Sequence, residues 1–273
     1  MGKKYLFATA NFQDWKQEFF KKYMSPRNKE YALKHNFEYI EMLSVDIKFR
    51  DHPSWLMFKL VQDLVNDGTF KEGDSVTKLD ADMCVVDLNK EYITNKSFTY
   101  CIDSANTHNM GSYSMRINEW SVDLLNEILS ESRYQKLLQH ETKHDYFGTS
   151  DIFVKSFREQ ASWYFLAGIK RHSQTSFFKL ENYGWHSEPT EFTKYSLKDL
   201  HKNVEILPTE WNVTLAPGET DSRFLINKTR YKDTIIRHFA GSSEWNSKWF
   251  DQHGLPPRLS VINKKNYIKS FLN

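Results

Sequence analysis

Along the first half of the chain, short apolar runs alternate with stretches in which apolar positions recur every three or four residues. Residues 5–10, Tyr-Leu-Phe-Ala-Thr-Ala, predict a buried strand, and 28–35 a helix leading into a strand over 37–42 whose faces alternate. Trp55, Phe58, Val61, Leu64 and Val65 form one helical stripe, ended by Asn66-Asp67-Gly68. A strand over 76–79 then runs into Asp80-Ala81-Asp82. Strand, helix, strand, helix, strand implies a parallel sheet covered by helices. Farther on, 97–102 and 112–115 predict strands, and Ser121 is expected to cap a helix reaching residue 129, with Asp123 favouring its N-terminal dipole. A second good helix is expected over 151–166. From about residue 196 the pattern predicts a short helix, a strand over 205–208, a loop at Pro217-Gly218, a strand over 234–236 and an aromatic C-terminal stretch.

Composition narrows the function classes. The 273 residues are 40% hydrophobic and 26% charged, enough for a full core. No apolar run approaches the roughly 18 residues a membrane span requires, and the run over 5–10 is too short for a signal peptide, since Asn11, Asp14, Lys16 and Glu18 follow it. Gly2 begins a myristoylation pattern that Leu6 breaks. Cys84 and Cys101 match no metal or disulfide spacing, so a reducing, cytoplasmic location is expected. A net charge of +2 is far from the basic excess of a dedicated nucleic-acid binder. The aromatic share of 15% is high, and aromatics both fill cores and stack on sugars and bases.

Two motifs carry chemistry. Lys78-Leu79-Asp80-Ala81-Asp82 places two carboxylates one residue apart at the end of a buried strand, where ligands bind in parallel sheets and where carboxylates can hold a hard divalent cation. By itself D-x-D also fits a solvated turn. The apolar segments on both sides put charge between buried residues, which requires compensation. Ile235-Ile236-Arg237-His238-Phe239-Ala240-Gly241 is a β-branched run ending in an imidazole that could complete a carboxylate site, with Gly241 permitting close approach of a phosphate.

With these motifs in this order, the chain resembles the metal-dependent GT-A glycosyltransferases. It is most similar to glycosyltransferase family 34, the galactosyl- and xylosyltransferases, with kinship to family 8. Trp55-Leu56-Met57-Phe58-Lys59 resembles the helix before the metal motif, with Lys59 standing 21 residues ahead of Asp80. Asn109-Met110-Gly111-Ser112-Tyr113-Ser114-Met115-Arg116 with Glu119-Trp120-Ser121 resembles the family's N-x-G segment, and His238-Phe239-Ala240-Gly241 its H-F-x-G. The resemblance implies an α/β GT-A (Rossmann-like) fold, a mixed, mainly parallel sheet flanked by helices. It also implies a single domain over 1–273, with a nucleotide-sugar half over about 1–110 and an acceptor half over about 111–273.

Site roles follow from the same resemblance. Asp80, Asp82 and His238 would hold Mn²⁺ or Mg²⁺, with Asp80 also contacting the donor ribose. Ala8, Thr9 and Asn11 would line the uridine pocket of a UDP-sugar, and Lys59 would support its phosphates or sugar. Asn109 and Gly111 would lie beside the donor sugar. Glu159-Gln160-Ala161 resembles the family's D-Q-[SA] element, whose acidic residue and glutamine face the transferred sugar; Glu159 departs from it by one methylene. Where relatives carry a Cys- or Lys-Pro-containing tail this chain has Ser242-Ser243-Glu244-Trp245, so Arg237 or Lys248 is the candidate phosphate-side cation. Tyr183-Gly184-Trp185-His186-Ser187-Glu188 is a candidate acceptor loop.

The implied activity is metal-dependent transfer of a sugar from a UDP-sugar to an acceptor hydroxyl, a glycan first, with retention of configuration. An inverting enzyme would need a base on the opposite face, with Asp151 and Glu188 as candidates. Two alternatives stay open. One is a non-catalytic nucleotide-sugar binding module. The other is a viral or phage enzyme that glycosylates hydroxymethylated DNA bases in the host cytoplasm; from His201 onward 11 Lys and Arg stand against 7 Asp and Glu, interleaved with aromatics in Lys228-Thr229-Arg230-Tyr231-Lys232 and Lys248-Trp249-Phe250.

Overall fold

The computed structural model describes residues 2–9, 17, 20–42, 49–50, 54–92, 95–103, 108–143, 153–169, 184–214, 234–239 and 268–270. Its main sheet begins with β1 (Lys4–Thr9), which pairs in parallel with β2 (Glu38–Met42) on one side and β3 (Ser75–Leu79) on the other. The connections run through α1 (Ser25–Lys34), entered by a π-turn at Phe20–Met24, and α2 (Ser54–Asn66). After β4 (Met83–Val85) come β5 (Phe98–Ile102) and β6 (His108–Arg116), then α3 (Glu119–Leu129), α4 (Glu131–Lys143), α5 (Phe153–Ala167) and α6 (Leu197–Asn203). The described chain ends with β7 (Val204–Leu207), β8 (Ile236–His238) and β9 (Ile268–Ser270). The seven strands of the main sheet lie in the order β7-β5-β6-β3-β1-β2-β9, and β4 pairs with β8 in a separate ribbon. Pairing is parallel for β1–β2, β1–β3, β2–β9 and β5–β7, and antiparallel for β3–β6 and β5–β6. A mixed, mainly parallel sheet with helices is therefore what the chain builds.

Alternation along β1 divides the core in two. Tyr5 and Phe7 enter one cluster with Trp55, Phe58 and Val61 of α2 and the buried residues of α3 and α5. Leu6 and Ala8 point to the other face and pack with Tyr31 and Ala32 of α1 and with β4 and β8. Successive crossovers thus cover opposite faces of β1, the arrangement in which ligands of open parallel sheets bind beyond the carboxyl ends of the strands.

Two helical details differ from the sequence reading. The cap of α3 is Asn118, not Ser121: the Asn118 side-chain oxygen accepts from Ser121 N at 3.0 Å, and Ser121 Oγ accepts from Asn118 N at 3.0 Å. Ser121 is the reciprocal partner of a capping box, three residues inside the helix. Helix α4 has no counterpart in the sequence reading. Its Tyr134 is held across the core, where the Arg50 guanidinium lies 4.1 Å from the Trp55 ring centroid and 4.2 Å from that of Tyr134. Arg50 also donates to Leu129 O at 2.8 Å, closing the end of α3. The strand expected over 234–236 lies two residues later as β8, because its pairing with β4 sets its bounds.

Asn118 additionally donates to Ser97 Oγ at 3.0 Å, joining the helix start to the approach to β5. Asn118→Ala is expected to lower unfolding stability by about 1–2 kcal/mol in urea titration. A loss below about 0.3 kcal/mol would show that Ser121 alone suffices.

Candidate metal centre

Asp80 leaves the end of β3 in a tight turn, closed by Met83 N donating to Asp80 O at 3.0 Å, that presents Asp80 and Asp82 on either side of buried Ala81. The histidine arrives from far along the chain. Antiparallel pairing sets Met83 opposite His238, Phe239 N donates to Asp82 O at 2.9 Å, and His238 N donates to Val213 O at 2.9 Å. One ligand atom each from Asp80, Asp82 and His238 falls within 4.8 Å of the others.

The imidazole is oriented by a residue the sequence reading missed. His238 Nδ1 lies 2.9 Å from the buried carboxamide oxygen of Asn212, so Nδ1–H donates and Nε2 faces Asp82 Oδ1 at 3.3 Å. Asn212 follows a 3-10 turn at Thr209–Trp211 and carried no signal in the sequence, since only the folded β8 brings it near His238.

Electrostatics here are strong. Burial raises the Asp80 carboxyl and Asp82 raises it further, while Lys78 and His238 pull it down; the net shift is upward. For Asp82, burial also pushes upward, but the His238 charge and the remaining partners outweigh it and the net shift is downward. Burial lowers His238, yet the facing Asp82 more than reverses this and raises it. Asp82 Oδ1 is buried and faces His238 Nε2. Two carboxylates converging on one ring nitrogen, whose proton a metal would replace, fit a divalent cation of the Mn²⁺ or Mg²⁺ type.

Strand β6 forms the opposite wall. Asp80 N donates to Gly111 O at 2.8 Å, which brings Gly111 directly against the carboxylates. A Cβ at Gly111 would stand 2.7 Å from His238 Cε1, 2.8 Å from Asn109 Oδ1 and 3.0 Å from Asp80 Oδ2. Asn109 accepts from Gly111 N at 2.8 Å and donates to Asp103 Oδ2 at 3.1 Å. Asp103 is a second residue the sequence reading did not single out.

Glu159 and Gln160 also reach this wall. Gln160 Oε1 accepts from Met110 N at 3.0 Å, and its amide donates to Tyr164 Oη at 3.1 Å. Burial pushes the Glu159 carboxyl up; Ser54 and Lys78 draw it down, Asp80 adds to the rise, and the net shift is upward.

Ala8 is fully buried at the carboxyl end of β1, paired with Glu41 and Leu79, and Thr9 ends the strand opposite Met42. The ammonium of Lys59 is committed to Asp63 one turn along α2. Arg237 points away from His238 on β8 and donates to Val213 O at 2.7 Å while lying 4.9 Å from the Phe239 ring centroid, so it is a core cation, not a phosphate ligand. The acceptor-loop reading also fails for two residues. Trp185 is buried and donates to Tyr100 Oη at 3.4 Å, and His186 Nε2 bonds Tyr195 O at 2.8 Å. Glu188 bonds through its backbone N to Gly168 O at 3.0 Å. Asn11, Asp151, Tyr183, Gly241 and Lys248 lie outside the described residues, as do both basic stretches considered for DNA. Among the described residues, no helix is long and apolar enough to cross a membrane.

No protein-family model and no curated protein matches the chain. Solved structures do. The chain is similar to a glycosyltransferase involved in the glycosylation of the major capsid of PBCV-1, at 12% identity over 88% of this chain and 94% of that one, with a TM-score of 0.49. It is similar to the bifunctional glycosyltransferase WbbM at 11% identity and a TM-score of 0.49, covering 92% of this chain and 49% of that one. It is also similar to the glycosyltransferase GlyE of Streptococcus pneumoniae at 10% identity and a TM-score of 0.45, covering 93% of this chain and 61% of that one. The chain thus spans less than two thirds of the latter two.

Gly111→Ala is expected to weaken Mn²⁺ binding by at least about tenfold in calorimetric titration while leaving the far-ultraviolet spectrum unchanged, because the added methyl displaces His238 or Asp80. Unaltered affinity would remove Gly111 from the site.

Proposed function

We propose that the chain is a GT-A glycosyltransferase that moves a sugar from a UDP-sugar to an acceptor hydroxyl, most plainly of a glycan, with retention of configuration and dependence on Mn²⁺ or Mg²⁺. The observation that carries this reading is the meeting of Asp80, Asp82 and His238 beyond the carboxyl end of β3, with His238 156 residues after Asp82, against a glycine that leaves no side chain in the space. A cytoplasmic setting accompanies it as part of the same proposal.

In this reading Asp80, Asp82 and His238 Nε2 hold the cation, which when bound offsets the negative charge growing on the departing diphosphate. Asn212 keeps the His238 lone pair directed at it. By the same resemblance Thr9 and Asn11, with the backbone at buried Ala8, would line the uridine pocket, and Gly241 and Lys248 would serve the phosphate side; Lys59 could join them only by leaving its ion pair with Asp63. Asn109 and Gly111 present a narrow polar wall to the donor sugar. Gln160 and Glu159 stand behind that wall. The Gln160 carboxamide, bonded to Met110 N and Tyr164, holds the Asn109–Gly111 backbone in place, and the Glu159 carboxyl is buried behind it, with Ser54 as a hydrogen-bond partner. Retention would then proceed through a short-lived ion pair on the donor face or with assistance from one of these two groups.

UDP release should be measured across UDP-galactose, UDP-glucose, UDP-xylose and UDP-arabinose. With the accepted donor, EDTA is expected to abolish turnover, added Mn²⁺ to restore it, and Asp82→Asn to lower kcat/KM by at least about a hundredfold. Turnover that resists EDTA and survives Asp82→Asn would overturn the proposal, and binding of UDP with Mn²⁺ but no turnover for any donor would favour a binding module.

A further inference from the structure

One buried charge beside the metal centre has no part in the scheme above. Lys78 is 1% exposed, in a strand flanked on both sides within the seven-stranded sheet. Its ammonium carries three protons and meets three acceptors: an Asp80 carboxylate oxygen, Met110 O at 3.2 Å and Gly111 O at 3.3 Å. The Tyr113 ring, opposite Lys78 in the β3–β6 register, lies 5.7 Å from the same nitrogen. Lys78 thereby ties the carboxylate turn to the stretch of β6 that carries Asn109 and Gly111. It also occupies one oxygen of Asp80, leaving Oδ2 toward Gly111 and the space between the ligands.

With a metal bound the His238 imidazole would be neutral, so Asp80, Asp82 and the Lys78 ammonium would together carry one negative charge where the two carboxylates alone would carry two. A cation a few ångströms from a divalent ion repels it, and the same cation attracts a diphosphate. We propose that Lys78 is a built-in counter-cation of the metal centre: acting through Asp80, it keeps the carboxylate oriented while cancelling its charge. The divalent ion is then held weakly alone and firmly once an anionic diphosphate joins it. This inference rests on the reading of Asp80, Asp82 and His238 as a metal centre.

The test compares Mn²⁺ titrations, and UDP titrations in EDTA, for the wild-type chain, Lys78→Met and Lys78→Arg by calorimetry. Lys78→Met is expected to bind Mn²⁺ at least about tenfold more tightly than wild type, bind metal-free UDP more weakly, and gain a larger rise in melting temperature from Mn²⁺, since the ion then relieves an uncompensated buried carboxylate. Lys78→Arg, which keeps the charge, is expected to stay within about threefold of wild type for Mn²⁺. Equal or weaker Mn²⁺ binding by Lys78→Met would overturn the inference and leave Lys78 a purely structural strut. If Lys78→Met does not fold without metal, the inference requires that Mn²⁺ or the added change Asp80→Asn restore folding, and failure of both overturns it. Absence of Mn²⁺ binding by wild type even in the presence of UDP would instead overturn the metal-centre reading itself.

Discussion

The hydrogen bond from Phe239 N to Asp82 O, with the short β4–β8 ribbon around it, is the constraint on which the site depends. Everything else in the ligand set is local: Asp80 and Asp82 share one turn, and Gly111 lies beside it through the β3–β6 register. His238 alone must be brought back across a long stretch of chain, whose closure costs conformational entropy that local contacts do not recover. Three-residue strands offer few bonds of their own. The ribbon survives because it is buried on the Leu6 and Ala8 face of the sheet, where Met83, Cys84, Val85, Ile236 and Phe239 share one cluster with α1. Hydrophobic packing on the far side of β1 thus holds the imidazole at its distance from the carboxylates.

A second physical theme is the concentration of charge in a largely buried place, where Lys78 and His238 are covered and Asp80 and Asp82 stay partly exposed. Asp80 feels Lys78, Asp82 and His238, Asp82 feels His238 and Lys78, and Glu159 feels Lys78 and Asp80. Burying several ionised groups is costly unless each finds a partner. The ammonium of Lys78 finds three, and Asn212 engages the inner face of the imidazole. Asp82 Oδ1 faces His238 Nε2 at 3.3 Å. Two carboxylates converging on one oriented ring nitrogen is an arrangement that a divalent ion completes by taking the place of the proton on Nε2.

Much of the sheet could be read from the sequence because its strands are short apolar runs ending at turn residues and α2 carries a clean helical stripe. The carboxylate pair was legible for the same reason: Asp80-Ala81-Asp82 interrupts an otherwise buried segment. Lys78 is equally visible in the sequence, since a lysine between Thr77 and Leu79 of a central strand demands a partner. Asn212 and Asp103 could not be found, because their roles come from contacts between distant segments. The aromatic residues misled most. Trp185 looked like a sugar platform, yet it lies in the core beside Tyr100, and Trp55 serves Arg50 and Tyr134. Composition counts rings without saying which are covered. Helix α4 escaped for the opposite reason: its polar stretch from Glu131 onward carries only a thin stripe at Tyr134, Leu137 and Leu138, and tertiary packing supplies the rest.

The account turns on one cation meeting both His238 and a diphosphate. Pulsed electron paramagnetic resonance of the chain with Mn²⁺ and UDP tests this directly, because a nitrogen bonded to the ion and a phosphorus joined to it through a coordinated oxygen produce distinct hyperfine couplings. The account expects a directly coordinated imidazole nitrogen, lost in His238→Ala, together with phosphorus coupling from UDP on the same ion. Bound Mn²⁺ that shows phosphorus but no protein nitrogen, or a nitrogen signal that persists in His238→Ala, would contradict it.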